Sequence, residues 1–145
     1  MAPPREDGFR KVQQSKASLS IVERNINELK LDPGNPRRHS KKQVRQIAKS
    51  IEAFGFNVPV TVDEHLQVVN GHGRLAAARL LGMQQVPTIC IAHLSESQRR
   101  AFQIADNRLA ENSRWNRAAL AETLQILQTS NLNFDVQSTG FEITE

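Results

Sequence analysis

The chain has one cysteine, one tryptophan and no tyrosine among its 145 residues, and aromatic residues make up only 5% of it. A lone cysteine forms no internal disulfide and no multi-cysteine metal site. Cys90 lies in the apolar run Val86-Pro87-Thr88-Ile89-Cys90-Ile91-Ala92, where a buried, inert thiol is expected. No apolar run approaches the roughly 20 residues that span a bilayer, and no signal-peptide core follows the start. A cytoplasmic protein without a membrane partner is therefore expected. The phosphate-binding P-loop, zinc-ligand spacing and the strained nucleophile elbow are all missing, and the four histidines are scattered rather than grouped.

What is present is an ordinary globular composition, 39% hydrophobic and 23% charged, sufficient for one core. Its charge is uneven. Residues 1–50 hold 12 Lys or Arg against 5 Asp or Glu, whereas residues 51–145 hold 7 against 10. A basic front half points to a polyanionic partner, nucleic acid first, or else to a solvated basic surface.

The most informative stretch is Gln67-Val68-Val69-Asn70-Gly71-His72-Gly73-Arg74-Leu75-Ala76-Ala77-Ala78-Arg79. It reads as a short apolar strand, a tight glycine turn, then an alanine-rich helix. Glycine allows positive φ and close backbone approach to a ligand. The helix start leaves unpaired N–H groups at the positive end of the dipole, a natural anion site. Asn70, Gly71, His72, Gly73 and Arg74 are the candidate ligand-holding residues, Arg74 through a forked cation and His72 through a titratable ring.

Around this corner the chain punctuates itself clearly. A strand is expected within 18–26. Asp32-Pro33-Gly34-Asn35-Pro36-Arg37-Arg38-His39-Ser40 is a turn-rich loop ending in an N-cap serine. A helix over 41–54 carries the stripe Val44, Ile47, Ala48, Ile51 and Phe54, expected in the core, with Lys41, Lys42, Arg45 and Lys49 on other faces. Arg37, Arg38, Lys41, Lys42 and Arg45 are candidates for phosphate or nucleic-acid contact. A strand is expected over 58–62, a turn at Asp63-Glu64-His65 and a partner strand over 66–69, then a helix from the corner to 81 and a strand over 86–92, so that strand–helix–strand forms a crossover unit. Ser95 and Gln98 spell a capping box before a helix to about Asn112, with Ala101, Phe102, Ala105 and Leu109 on its buried side. Asp106, Asn107, Glu111 and Asn112 form an oxygen-rich cluster suited to a hydrated divalent cation beside phosphate. A last helix follows Asn116, with Trp115 as a packing anchor. Residues after 130 read as a connector.

Taken together, Asn35-Pro36-Arg37, Lys49-Ser50-Ile51 through Gly55 to Pro59-Val60, the Gly71-His72-Gly73-Arg74-Leu75-Ala76-Ala77 corner and Ala105-Asp106-Asn107 resemble the ParB N-terminal (ParB/sulfiredoxin-like) domain. The resemblance implies an α+β fold, a small mixed sheet with packed helices and a helical C-terminal part. It divides the chain into a flexible basic arm over 1–17, the ParB-like domain over 18–130, and a connector over 131–145 leading to a missing domain. Gly71–Arg74, Ala105–Asn112 and Thr139-Gly140-Phe141 are most similar to ParB-like domains attached to, or beside, DNA methyltransferases of phages and mobile elements.

The resemblance also implies a function. Partition ParB proteins bind CTP with Mg2+ at this corner and use it as a clamp switch. By that likeness Gly71, His72, Gly73 and Arg74 cradle phosphates, and Asp106 and Asn107 hold metal and act in hydrolysis, with Glu111 and Asn112 as the alternative register. The chain has His72-Gly73-Arg74 where partition proteins carry Glu-Arg-Arg, which leaves the nucleotide open between CTP and other triphosphates. Sulfiredoxins place their essential cysteine where His72 stands, so their chemistry is excluded. Three functions are expectations: a nucleotide-binding, DNA-associated regulatory module with slow or no turnover, as a homodimer or with a methyltransferase domain; a nuclease or small-molecule phosphotransferase built on Asp106, Asn107 and Glu111; or a DNA-binding or docking domain with a vestigial pocket.

Overall fold

A computed structural model describes residues 7–9 and 18–142. The expected basic arm over 1–17 lies outside the described residues except for 7–9, which are exposed. Four strands, β1 (Ile21–Asn25), β2 (Val60–Val62), β3 (Val68–Asn70) and β4 (Gln85–Cys90), form one mixed sheet in the order β1-β4-β2-β3. β4 pairs antiparallel with β1 and parallel with β2, while β2 and β3 pair antiparallel. Four α-helices accompany the sheet: α1 (Lys41–Phe54), α2 (His72–Leu80), α3 (Glu96–Asn112) and α4 (Arg117–Thr129). The α+β class and mixed sheet expected from the sequence are therefore those observed.

Helix starts are set locally. Ser40 Oγ accepts from Gln43 N at the head of α1, and Asn116 Oδ1 accepts from Ala119 N at the head of α4. Ser95 and Gln98 make both bonds of the capping box on α3. Each cap satisfies N–H groups that a helix leaves open and stabilises it by about 1 kcal/mol.

The core gathers Val60, Val62, Val68, Val86, Leu75 and Ala78 with Ile26 and Leu29. Leu75, fully buried on α2, contributes roughly 1.5–3 kcal/mol by that burial. It also pins the helix that follows the glycine corner against the sheet. α1 packs across α2 with Ala48 buried, while Phe54, at the end of its stripe, is 43% exposed and meets Phe134 edge-on at 5.0 Å.

Several sequence expectations are corrected. The β3–α2–β4 unit is not a parallel crossover. A tight turn in which Asp63 Oδ1 accepts from His65 N and Gln67 N folds β3 back on β2, so β3 and β4 run in opposite directions. Cys90 is exposed, because it closes β4 at the point where burial stops alternating. Ala101, Phe102 and Leu109 of α3 are exposed and Ala105 is half-buried, and its buried residue is Gln103, because α3 meets the sheet through β3 by polar contacts. Trp115 is 68% exposed and packs only edge-on against Phe141, at 5.5 Å. Residues 131–142 fold back on α1 through Phe134, a 3-10 turn at Val136–Thr139 and the Lys42–Glu142 ion pair at 2.7 Å. No described helix is long and apolar enough to cross a membrane.

Candidate functional site

β3 delivers Asn70 to the edge of the sheet, and Gly71 turns the chain into α2 at φ 107° and ψ 19°. A Cβ at Gly71 would lie 3.3 Å from Val60 Cα and would have to adopt a left-handed conformation that L side chains rarely take. No side chain caps α2, so its first-turn N–H groups, with their share of the helix dipole, stay available. Gly73 is buried and is needed for a different reason: a Cβ there would sit 2.9 Å from the His39 ring and 3.0 Å from Ile47 Cδ1, so the missing side chain lets them pack against α2.

A cleft of about 210 Å3 opens at this corner, lined by Asn70 to Arg74 from one side, Arg37 and His39 from the loop before α1, and Asp106 and Asn107 from α3. Its floor holds unsatisfied polar atoms. Asn70 is 6% exposed, and neither its Oδ1 nor its Nδ2 has a hydrogen-bond partner. Arg74 Nη2 donates to Pro59 O at 3.2 Å, but its buried Nε has no partner. Burial lowers the Arg74 pKa from its ordinary value, and the Asp106 carboxylate opposes that effect. Leaving such groups buried and unpaired costs about 1–3 kcal/mol each, which a polar ligand would recover.

His72 Nε2 accepts the Asp32 N–H at 3.3 Å, so the ring in this arrangement is neutral with its proton on Nδ1. Burial lowers its pKa, as does the neighbouring His39, while Asp32 acts the other way. His39 Nδ1 lies 3.0 Å from Gln43 Oε1. Asp32 is buried beneath the cleft. Burial alone would raise its pKa, yet the Gly34 N–H, the Gln103 amide, Arg100 and Arg99 together outweigh it and hold the carboxyl below its ordinary value.

Of the expected metal cluster, α3 brings Asp106 and Asn107 to the cleft. Asn107 Nδ2 donates to Gln103 O at 2.8 Å. Glu111 points along α3 into ion pairs with Arg37 at 3.1 Å and Arg108 at 3.2 Å, and Asn112 ends the helix exposed. No group of three or more His, Cys, Asp or Glu gathers to hold a metal among the described residues. One carboxylate and one amide beside a phosphate nonetheless match the donor set that Mg2+ accepts, since it keeps several waters and binds through one or two carboxylates plus phosphate oxygens. Arg38, Lys41, Lys42 and Arg45 lie outside the cleft and are exposed, and Lys42 is held by Glu142.

Sequence reasoning missed Asp32, Gln43 and Gln103. Asp32 enters the sequence reading only as part of the turn-rich loop over 32–40, and Gln103 is not singled out at all. The spacing Gln103, Asp106, Asn107 on one helical face was the available signal.

The mixed four-stranded sheet, the uncapped α2 start and the glycine corner facing α3 are the frame of a ParB-like domain. The chain belongs to the ParB N-terminal domain family, which matches residues 10–108. It is 42% identical over 82 residues to the ParB-like nuclease domain-containing protein YnaK of Escherichia coli (strain K12), covering 57% of this chain and 94% of YnaK. It is 34% identical over 91 residues to the probable chromosome 2-partitioning protein ParB of Deinococcus radiodurans, covering 60% of this chain but 31% of that protein. Among solved structures, the C-terminally truncated ParB of Caulobacter crescentus complexed with CTP-gamma-S shares the fold at a TM-score of 0.67 and 23% identity, over 76% of this chain and 63% of that one.

Proposed function

We propose that this chain is a DNA-associated ParB-like module that binds a nucleoside triphosphate, CTP or another, together with Mg2+ at the Gly71–Arg74 corner. The observation that carries this reading is the buried, unpartnered Asn70 amide beside an uncapped helix start. The first-turn amides of α2 and the guanidinium groups of Arg74 and Arg37 take the phosphate oxygens. Gly71 turns the backbone so that these amides can meet that ligand. Asp106 and Asn107 hold Mg2+, which neutralises phosphate charge when bound. The Caulobacter relative complexed with CTP-gamma-S supports a nucleotide of this class.

DNA is the proposed macromolecular partner. The basic outer face of α1, with Lys41, Lys42 and Arg45, and the adjacent Arg38 supply charge for backbone contact. The same Caulobacter protein complexed to the centromeric parS site supports this choice. A regulatory role in partition or in methylation, through an adjoining methyltransferase domain or a second copy of the chain, fits such a module. The name of YnaK keeps phosphodiester hydrolysis as a second reading. Against it, two-metal cleavage needs clustered carboxylates, whereas Asp106 is the carboxylate that lines the cleft and Glu111 is engaged by two arginines.

Isothermal titration with CTP, ATP, GTP and ADP in the presence of Mg2+ tests the main reading. Saturable binding of at least one triphosphate is expected, and no binding of any would overturn it. Cleavage of plasmid DNA that is lost in Asp106→Ala would favour the nuclease reading.

A further inference from the structure

α3 is held to the domain in an unusual way for an amphipathic helix. Its large apolar side chains Phe102, Ile104 and Leu109 are exposed, and among its residues only Gln103 is buried. Apolar burial, the usual means of docking a helix, therefore does little to seat it. Gln103 does so by hydrogen bonds. Its Nε2 donates to Val69 O at 2.8 Å and to Asp32 Oδ2 at 3.2 Å.

Asp32 is the meeting point of three segments. Its Oδ1 accepts from Gly34 N at 2.9 Å within the loop that carries Arg37 and His39. Its Oδ2 takes the Gln103 amide from α3, and its backbone N–H goes to His72 Nε2 at the start of α2. Asp106 and Asn107 stand three and four residues beyond Gln103, on the same side of the helix. Rotation or withdrawal of α3 at Gln103 would thus carry both of them away from the glycine corner.

We propose that Asp32 and Gln103 are positioning residues: their hydrogen bond seats α3 so that Asp106 and Asn107 face the Gly71-His72-Gly73-Arg74 corner. The consequence for ligand binding rests on the nucleotide reading given above, whereas the seating of α3 does not. Asp32→Asn keeps the shape and the Gly34 acceptor but places an NH2 group opposite Gln103 Nε2. Turning the Gln103 amide to meet it would bring Oε1 against Val69 O. Neither orientation satisfies both contacts, so this variant loosens α3 without emptying space. Gln103→Leu fills similar volume and removes both bonds.

Hydrogen exchange of the ligand-free chain, compared with both variants, decides the seating. Amides over 103–110 are expected to exchange about tenfold faster in each, while those of β2, β3 and β4 change by less than about twofold. Unchanged exchange in α3, or an equal rise everywhere, would overturn the proposal. Titration of CTP and ATP with Mg2+ and with EDTA supplies the second readout. The gain in affinity that Mg2+ gives should shrink about tenfold in the variants, with Mg2+-free affinity held within about threefold. Parallel loss of both affinities would instead mark a general structural role and contradict the assignment. If the parent chain bound no nucleotide, the reading of the cleft would fail while the exchange data still decided whether Asp32 seats α3.

Discussion

Gly73 and His39 are in contact across the cleft wall: a Cβ on Gly73 would lie 2.9 Å from both Cε1 and Nδ1 of the His39 ring. Gly73→Ala should therefore separate stability from binding. Alanine gains about 1 kcal/mol of helix propensity, which offsets an overpacking cost of about 1–3 kcal/mol. The melting temperature should fall only slightly, while displacement of the His39 ring into the cleft weakens triphosphate affinity about tenfold, or ~1.4 kcal/mol. Gly71→Ala should behave in the opposite way, because φ 107° and the nearby Val60 backbone leave no relaxed state. A loss of about 1–3 kcal/mol in stability is expected. Denaturant unfolding of the two variants, run beside titrations, checks the contrast.

Arg74→Ala should weaken nucleotide binding most among single cleft substitutions. Loss of one charged phosphate contact corresponds to about 1.5–3 kcal/mol. Because Arg74 Nη2 also donates to Pro59 O, a modest fall in stability should accompany it. Asn70→Leu supplies the complementary case. It removes a buried amide that has no partner in the ligand-free protein, so stability should hold or rise while affinity falls. Unchanged affinity in both variants would contradict the placement of the ligand.

The elements were legible where their causes are local. The Ser40 cap and apolar stripe of α1, and the Ser95–Gln98 box of α3, lie within a few residues of what they determine. The Gly71 turn was legible for the same reason, since its positive φ is a backbone requirement, whereas the need for glycine at 73 comes from His39 and Ile47 far along the chain. Burial on α3 was not. Phe102 and Leu109 have helical spacing yet stay exposed, and Gln103 is buried because its partner Asp32 lies 71 residues away. The Asp63 turn and its β2–β3 pairing were legible, whereas the direction of β3 against β4 was not, because it depends on β4 pairing parallel with β2 at a distance along the chain. Arg37 lines the cleft and also pairs with Glu111, a contact across 74 residues that no local pattern signals.

His72 gives the ligand-free protein a pH dependence of definite sign. Its pKa is lowered from the ordinary 6.5, chiefly by burial, so the unfolded chain takes up the proton first. The stability contributed by the neutral ring is fully present above pH 6.5 and is lost as pH falls from 6.5 through the folded value. Protonation also puts an N–H where Asp32 N donates to Nε2. Urea unfolding between about pH 5 and pH 8 should show this slope, and His72→Gln should flatten it. A slope that survives the substitution would assign the effect elsewhere.

Backbone amide NMR on adding a triphosphate with Mg2+ tests the central claim most directly. The largest shifts should fall on His72, Gly73 and Arg74, followed by Asp106 and Asn107 across the cleft. Shifts that are absent there, or confined to the exposed cations Lys41, Lys42 and Arg45 of α1, would contradict it.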